Sequence, residues 1–405
     1  MKILVLNAGS SSQKSRCYEI SSALPDLAPP PLWEADADWT GRQGFAGITI
    51  TTASGRTHKE EIQTDSRPAI IEHLLTSMWS GPTQVIARPS DIDMIGHRVV
   101  HGGQQYEQST LITEAVKAAI RNFAVLAPAH NPANLEGIEV AGRLFPNIAQ
   151  VAVFDTAFHR HMPLAASVYP VPYQWFEQGI RRYGFHGISY QYCTERTAQI
   201  LGKDPKSLRL IICHLGNGCS LAAIRDGHSI DTTMGFTPME GLMMGTRSGS
   251  IDPGILLYLL REKGYSAEQL DTILNKESGL KGVSAVSGDL RQIMQAIADN
   301  NTQAKLAFDI YVHHLRFFVG AMLAVLGGVD ALVFAGGVGE HSAVVRAGVC
   351  ENFEFLGLKL DPQKNLQSPA DQDIAARNSS VRVLVVHTQE DWAIAQECWK
   401  IAQRI

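Results

Sequence analysis

Three glycine-rich turns, each leaving a short apolar run, constrain this chain more than any other feature. Ile3-Leu4-Val5-Leu6 runs into Asn7-Ala8-Gly9-Ser10-Ser11-Ser12-Gln13-Lys14. Leu210-Ile211-Ile212-Cys213 runs into His214-Leu215-Gly216-Asn217-Gly218, and Ala331-Leu332-Val333-Phe334 into Ala335-Gly336-Gly337-Val338-Gly339-Glu340. A buried strand that ends in small residues presents bare backbone N–H groups, which bind phosphate oxygens well. Taken singly, Ser10 to Ser12 read equally as turn or cap residues, and Gly216 with Gly218 as hairpin glycines. Their co-occurrence points to a nucleotide gripped from several sides, and so to phosphoryl transfer.

The rest of the chain has the make-up of a globular protein. Its 405 residues leave room for two or three domains and a sizeable core. A net charge of −5 argues against a nucleic-acid partner, which favours a strongly basic domain. The six cysteines (17, 193, 213, 219, 350 and 398) form no CxxC pair and no ligand-like spacing with His. They read as reduced, mostly buried thiols of a cytoplasmic protein. The first apolar run, at about four residues, falls short of the roughly 7–15 of a signal peptide. Phe317 to Phe334 is almost continuously apolar and about long enough to span a bilayer. Asp330 and Gly327-Gly328 interrupt it, so a buried helix followed by a strand fits better and no membrane association is expected.

Strand-turn-strand openings recur about 200 residues apart, each followed by helical stretches. Strands are expected near 3–6, 17–20, 48–52, 57–62, 93–100 and 151–154, then near 208–213, 220–224, 331–334 and 381–386. Helices are expected near 67–78, 113–126, 254–263, 290–298 and 302–326, after Asn131, from about Ser342, and near 392–404. The pattern reads as two related α/β domains with mixed sheets and a cleft between them. One large doubly wound domain is the alternative. The chain has no G-x-x-x-x-G-K-[ST] and no complete G-x-G-x-x-G after a strand, so neither a P-loop nor a dinucleotide fold is expected.

Two hairpin-type phosphate turns with a third glycine turn before a helix resemble the sugar-kinase, heat-shock-chaperone and actin superfamily. That resemblance implies an α/β fold of two duplicated ribonuclease-H-like domains with mixed sheets and an interdomain ATP cleft. The expected N-terminal domain is 1–155 plus 388–405. The expected nucleotide-binding and dimerisation domain is 156–387.

Several side chains have the right chemistry beside such turns. Gly96-His97-Arg98-Val99-Val100-His101-Gly102-Gly103 places an Arg at a strand end, where a buried cation needs an anion or a carboxylate. Met244-Gly245-Thr246-Arg247-Ser248-Gly249 offers a second Arg between glycines that allow close approach. Two such Arg, one from each half, can clamp a transferring phosphoryl group; a structural salt bridge or a solvated Arg is the plain alternative. Asp155, after the apolar run Val151 to Phe154, reads as a magnesium or nucleophile-orienting carboxylate or as a helix cap. His130 and His186 are candidate donors to phosphoryl oxygens or satisfied core histidines. Glu390 is a candidate for metal-bound water or an ordinary helix-start acid.

Together these segments resemble the acetate and propionate kinase family over nearly the whole chain. The match runs through the Asn7 turn, Gly96 to Gly103, Ala127 to Asn134, Val153 to His159 and Arg182 to Gly187. It continues through His214 to Gly218, Gly241 to Ser248, Ser287 to Arg291, Gly336 to Glu340 and Thr388 to Glu390. The resemblance implies reversible, magnesium-dependent transfer of the ATP γ-phosphoryl group to acetate, giving ADP and acetyl phosphate, in a homodimer. Manganese is an alternative metal. Residue by residue it implies Asn7 and Glu390 at the metal end, Lys14 and Ser12 near the nucleotide phosphates, and Arg98 and Arg247 flanking the phosphoryl group. His186 is then a transition-state donor and Asp155 the essential carboxylate. Nucleotide contacts fall on His214, Leu215, Gly216, Asn217 and Gly218, on Asp289, Leu290 and Arg291, and on Gly337, Val338, Gly339, Glu340 and His341. Arg98 and His130 are then substrate-binding, with Val100, Ala129, Phe185 and Pro238, and these last four line the methyl pocket.

The chain departs from the family pattern in a few places. Gln13 stands where an apolar residue is usual, Ser250 where an Asp is usual, and His341 where an Asn is usual. Ala129 replaces a usual Leu, and one methylene in such a pocket is worth about 1–3 kcal/mol of discrimination. The expectation is acetate preferred and propionate tolerated better than usual, with Val100 keeping one wall tight. A broader short-chain acyl kinase is the nearest rival, and an actin- or chaperone-like ATPase the rival of a different class.

Overall fold

The Ile3–Leu6 run lies inside β1 (Lys2–Ala8), near the middle of an eight-stranded sheet. The computed structural model describes every residue except 10, 11, 22, 40, 43, 129, 368, 369 and 405. The described chain divides into two compact units, Met1–Ala157 with Gln389–Ile405, and Phe158–Thr388.

In the first unit β1 is followed by β2 (Ser12–Glu19), β3 (Trp33–Asp38), β4 (Phe45–Thr52), β5 (Thr57–Gln63), β6 (Met94–Val99), β7 (Thr110–Leu111) and β8 (Ala149–Phe154). Their order is β5-β4-β3-β2-β1-β6-β8-β7; β1, β6 and β8 run parallel and every other pairing is antiparallel. The second unit contains β9 (Leu210–Leu215), β10 (Cys219–Arg225), β11 (His228–Thr232), β12 (Ala331–Ala335), β13 (Gln372–Asp373) and β14 (Arg382–Val385). Their order is β11-β10-β9-β12-β14-β13, with β9, β12 and β14 parallel. The run β3-β2-β1-β6-β8-β7 has the same sense of pairing, strand for strand. The fold is therefore a duplicated α/β unit with mixed sheets, and the first unit adds β4 and β5 at its edge.

Close packing around the parallel strands sets where the later side chains stand. Leu4, Leu6, Cys17, Trp33, Ile71, Leu74 and Val140 form one core, which helices Arg67–Thr76 and Asn131–Leu144 help to build. Helix Glu390–Ala402 packs on β1 and β6. A Cβ at Gly96 would lie 2.6 Å from Cys398 Sγ and from Ile394 Cγ2, so only glycine lets this helix lie so close to β6. Trp392, Ile394 and Cys398 are buried by that contact, each large side chain contributing about 1.5–3 kcal/mol. Glu390 is thereby fixed as the first helical residue.

Helix Thr302–Leu326 starts on the Asn301 cap and stops at Gly327, whose φ of 66° suits glycine. It is long and apolar enough to cross a membrane by length and composition. In this fold Ala304, Ala307, Tyr311, Leu315 and Met322 are buried, with the helix packed on β10 and on helix Gly279–Ser284. Among the elements that exceed the sequence reading are β3, helix Gly187–Leu201 and helix Ala267–Lys276. Trp33-Glu34-Ala35-Asp36-Ala37-Asp38 alternates buried and less buried positions, but with Ala and Asp rather than β-branched residues, so its strand character comes from its neighbours.

Candidate active site

Strand ends deliver charge in the first unit. Arg98 is the penultimate residue of β6, and Asp155 follows β8 directly. Arg98 Nη2 donates to Asp155 Oδ2 at 2.7 Å and Nε at 3.1 Å, with Asp155 only 2% exposed. Burial works against the Arg98 charge, but Asp155 and Glu390 more than offset it and hold the guanidinium above its ordinary range. Asn7, near the end of β1, accepts from Arg98 Nη1 at 3.4 Å and donates through Nδ2 to Asp391 (2.8 Å) and Glu390 (3.4 Å). Asn7, Arg98, Asp155 and Glu390 are thus brought together. Lys14 pairs with Asn7 across the β1–β2 ladder and is exposed, and Ser12 closes the turn by accepting from Gly9 N–H at 2.9 Å.

The loop after β6 is held by two asparagines that the sequence reading did not assign to the site. Asn134 accepts from Val100 N–H at 3.1 Å and donates to the Ala8 carbonyl at 3.3 Å. Asn131 accepts from His101 N–H and donates back to its carbonyl. Both sit at the start of helix Asn131–Leu144, so the exits of β1 and β6 are tied to one helix end. Val100 is buried and His130 half-buried just before that helix, while Ala129 lies outside the described residues, as do Ser10 and Ser11 of the first turn.

The second unit gathers bare backbone and one cation. Arg247 Nη1 donates to the Pro238 carbonyl at 3.0 Å, and no carboxylate among the described residues forms an ion pair with it. Burial lowers its pKa, a sign of a cation in want of an anion. A Cβ at Gly218 would stand 3.5 Å from Arg247 Nη1 and 3.7 Å from His186 Nε2, so turn, Arg and His converge. His186 has φ 58°, caps helix Gly187–Leu201, and meets the Ser220 hydroxyl through Nδ1 at 2.8 Å. Its ring stacks on His214 with centroids 4.2 Å apart. Gly245 N–H donates to the Asn217 carbonyl, which joins the Arg247 loop to the β9–β10 turn. Gly288 in turn abuts Gly245 so closely that a Cβ would meet its carbonyl at 2.8 Å.

The remaining expected contacts divide. Asp289 caps helix Leu290–Ala298 and holds Arg291 on the surface at 2.6 Å. Gly337 and Val338 stand in the first turn of helix Gly336–His341, with Gly337 and His341 exposed and Gly339 buried against Phe334. Leu215 is buried at the end of β9 and close to Gly336. Glu340 turns away from these: its buried carboxylate meets His387 Nδ1 at 2.5 Å and Thr388 N–H at 3.3 Å. Arg346, fully buried and not foreseen, donates to the Gly339 and Glu340 carbonyls at 2.8 Å and closes that helix. Phe185 is buried with its carbonyl accepting from His159, and Pro238 is half-buried.

No group of three or more His, Cys, Asp or Glu among the described residues is arranged to hold a metal ion. Glu390 nonetheless offers a hard carboxylate oxygen, with the NH2 end of Asn7 toward it and the Asn7 oxygen toward Arg98. That one carboxylate fits magnesium, which takes one or two carboxylates together with substrate phosphates and water.

A duplicated mixed sheet with a charged cluster at the strand ends of one unit and glycine turns at those of the other suits a phosphotransferase. The chain belongs to the acetokinase family, whose model matches residues 2–396, and so to the phosphotransferases with a carboxyl group as acceptor. The acetate kinase of Cyanothece sp. is 63% identical over 403 residues, 100% of this chain and 99% of its own length. That of Nostoc punctiforme is 62% identical over 402 residues, 99% of both chains. Among solved structures, Porphyromonas gingivalis acetate kinase matches with a TM-score of 0.89 at 40% identity, covering 99% of each chain. A propionate kinase from Francisella tularensis matches with a TM-score of 0.89 at 38% identity, over 98% of this chain and 99% of its own.

Proposed function

We propose that the chain is a magnesium-dependent kinase that transfers the ATP γ-phosphoryl group reversibly to acetate by direct in-line displacement, giving acetyl phosphate and ADP. The observation that carries this reading is the half-buried Arg247, which has no ion-pair partner among the described residues and faces the bare backbone of Gly218. A carboxylate nucleophile is already ionised at pH 7, so no strong general base is needed. What remains is to bring two anions together and neutralise the equatorial oxygens in the transition state. Arg247 and Arg98 supply that charge. His186, held through Nδ1 by Ser220, presents its Nε2 edge as a donor. Asp155 orients Arg98 rather than removing a proton, since its carboxylate is spent on the guanidinium. Glu390 would hold magnesium, which neutralises phosphate charge when bound, through its carboxylate, while the Asn7 oxygen stays on Arg98.

Acetate is the preferred acid in this reading, with propionate the tolerated alternative. Hydroxylamine trapping of acyl phosphate from ATP and magnesium, with acetate, propionate and butyrate run side by side, tests it. Acetate far ahead supports the reading; a longer acid ahead makes the chain a broader short-chain acyl kinase; ATP hydrolysis without acyl phosphate returns it to the ATPases.

The working form is a homodimer. Helix Pro253–Glu262 buries none of its residues, and Ile255, Leu257, Tyr258 and Leu260 are exposed along it. So large an apolar face fits a second copy of the chain. Leu257→Asp should shift the mass measured by light scattering to that of one chain. The six cysteines are free and buried, in keeping with a reducing cytoplasm.

A further inference from the structure

The two ends of the Asn7 amide are used differently. Nδ2 donates to Asp391 Oδ1 at 2.8 Å and, at longer range, to Glu390 Oε2 at 3.4 Å. Oδ1 accepts from Arg98 Nη1 at 3.4 Å. A side-chain amide can turn over and exchange its donor and acceptor ends unless a neighbour forbids it. Arg98 favours the oxygen, since a guanidinium has no acceptor. Asp391 favours the NH2, since a carboxylate has no donor. The shorter contact is the one to Asp391.

Asp391 is itself well held. It is the second residue of helix Glu390–Ala402, and its side chain is only 14% exposed. Arg16 Nε stands 3.8 Å from Asp391 Oδ2, while the same guanidinium binds Asp36 at 2.9 Å and Glu34 at 3.4 Å. The order Arg16, Asp391, Asn7, Arg98, Asp155 thus alternates cation, anion, amide, cation and anion, with each polar contact in its favourable sense. An acid in the first turn of a helix also has an ordinary reason to be there, the helix dipole, but that reason does not require a contact to Asn7.

We propose that Asp391 is a positioning residue for the phosphoryl-transfer reaction: it fixes the Asn7 amide with its oxygen on Arg98 and so keeps the Arg98 fork in its working pose. This rests on the reading of Arg98 as a ligand of the transferring group. Asp391→Asn leaves an amide pair that can settle in either sense. It should lower kcat about tenfold, with KM for acetate and for ATP within about twofold, the pattern of a contact that matters in the transition state. Asn7→Asp sets two carboxylates against each other and should cost more, about a hundredfold. The double variant restores a donor–acceptor pair with its polarity reversed and should recover about tenfold over Asn7→Asp, a coupling that independent sites do not show.

Melting temperature and ADP affinity by calorimetry with metal omitted are measured on the same proteins. For Asp391→Asn both should stay near wild type, whereas loss of a helix-dipole contact alone would lower the melting temperature and leave kcat in place. Wild-type kcat in Asp391→Asn, or strictly additive losses in the double variant, would overturn the proposal. A wild-type protein that makes no acyl phosphate from any acid refutes the functional reading instead.

Discussion

The two units share a sheet plan and differ in what their strands deliver. At the exits of β1, β6 and β8 the first unit carries Asn7, Arg98 and Asp155, and the helix packed on β1 and β6 brings Glu390 and Asp391. At the exits of β9 and β12 the second unit carries Gly216, Gly218 and Gly336 to Gly339, and its one cation at the turn, Arg247, faces backbone. In the first unit charges answer one another within the fold; in the second the polar surface is left for something else to answer. A duplicated scaffold has thus separated two tasks, orienting charge for the chemistry and cradling phosphates with N–H groups. The lesson is that strand position alone does not tell function, since Arg98 and the glycines after β12 occupy corresponding exits.

The contrast can be broken hardest at Arg98. Arg98→Met leaves Asp155 buried without its partner, a loss of about 3–5 kcal/mol, and removes a ligand of the phosphoryl group. Its melting temperature should fall well below wild type and hydroxamate formation should drop about a thousandfold or more. An unchanged melting temperature would mean that the ion pair does not hold the first unit together.

Acid should affect the two units alike. His97 in the first and His159 in the second are fully buried, and burial pushes each pKa down to about 4 from 6.5. Between those values the unfolded chain binds protons that the folded chain does not. Stability is therefore complete above about pH 6.5 and falls as pH drops toward 4, by on the order of 2–3 kcal/mol per residue. Thermal melts from pH 7.5 to 4.5 check this. His97→Gln should flatten part of the slope, and an unaltered slope would remove His97 from the account.

The smallest expected effect is the most specific to the second unit. Gly218 has no left-handed φ, and a Cβ there meets nothing closer than 3.5 Å. Gly218→Ala should fold with an unchanged melting temperature yet raise KM for ATP several-fold, about 1 kcal/mol, by standing where phosphate approaches. Gly249, with φ 72° and a Cβ contact of 2.4 Å to the Leu242 carbonyl, should instead lose stability when changed to Ala.

Much of this was legible in the sequence because it is local. An apolar run followed by glycines marks a strand and its turn within a dozen residues, and β1, β9 and β12 with their turns lie where that pattern puts them. Arg98 and Asp155 were each visible as charge at a strand end. Their pairing was not, because it depends on β6 and β8 lying side by side across 57 residues. Asp391 drew no expectation from the sequence, and its contact to Asn7 spans 384 positions. Asn131 marked a helix start and Asn134 only the end of a matched segment, and the fold shows them stapling the exits of β1 and β6. Helix Gly187–Leu201 is rich in Ser, Thr and Tyr, so its apolar stripe is faint, although it carries the capping His186.

Arg247 is held ready for an anion that no described residue supplies. Arg247→Met, compared with wild type in a thermal melt and in the hydroxylamine assay, tests it most directly. The expected result is a melting temperature equal to or above wild type, since a half-buried cation without a counter-ion among the described residues is replaced by an apolar side chain, together with at least a hundredfold loss of acyl phosphate. A melting temperature lowered by many degrees, or turnover near wild type, would contradict it.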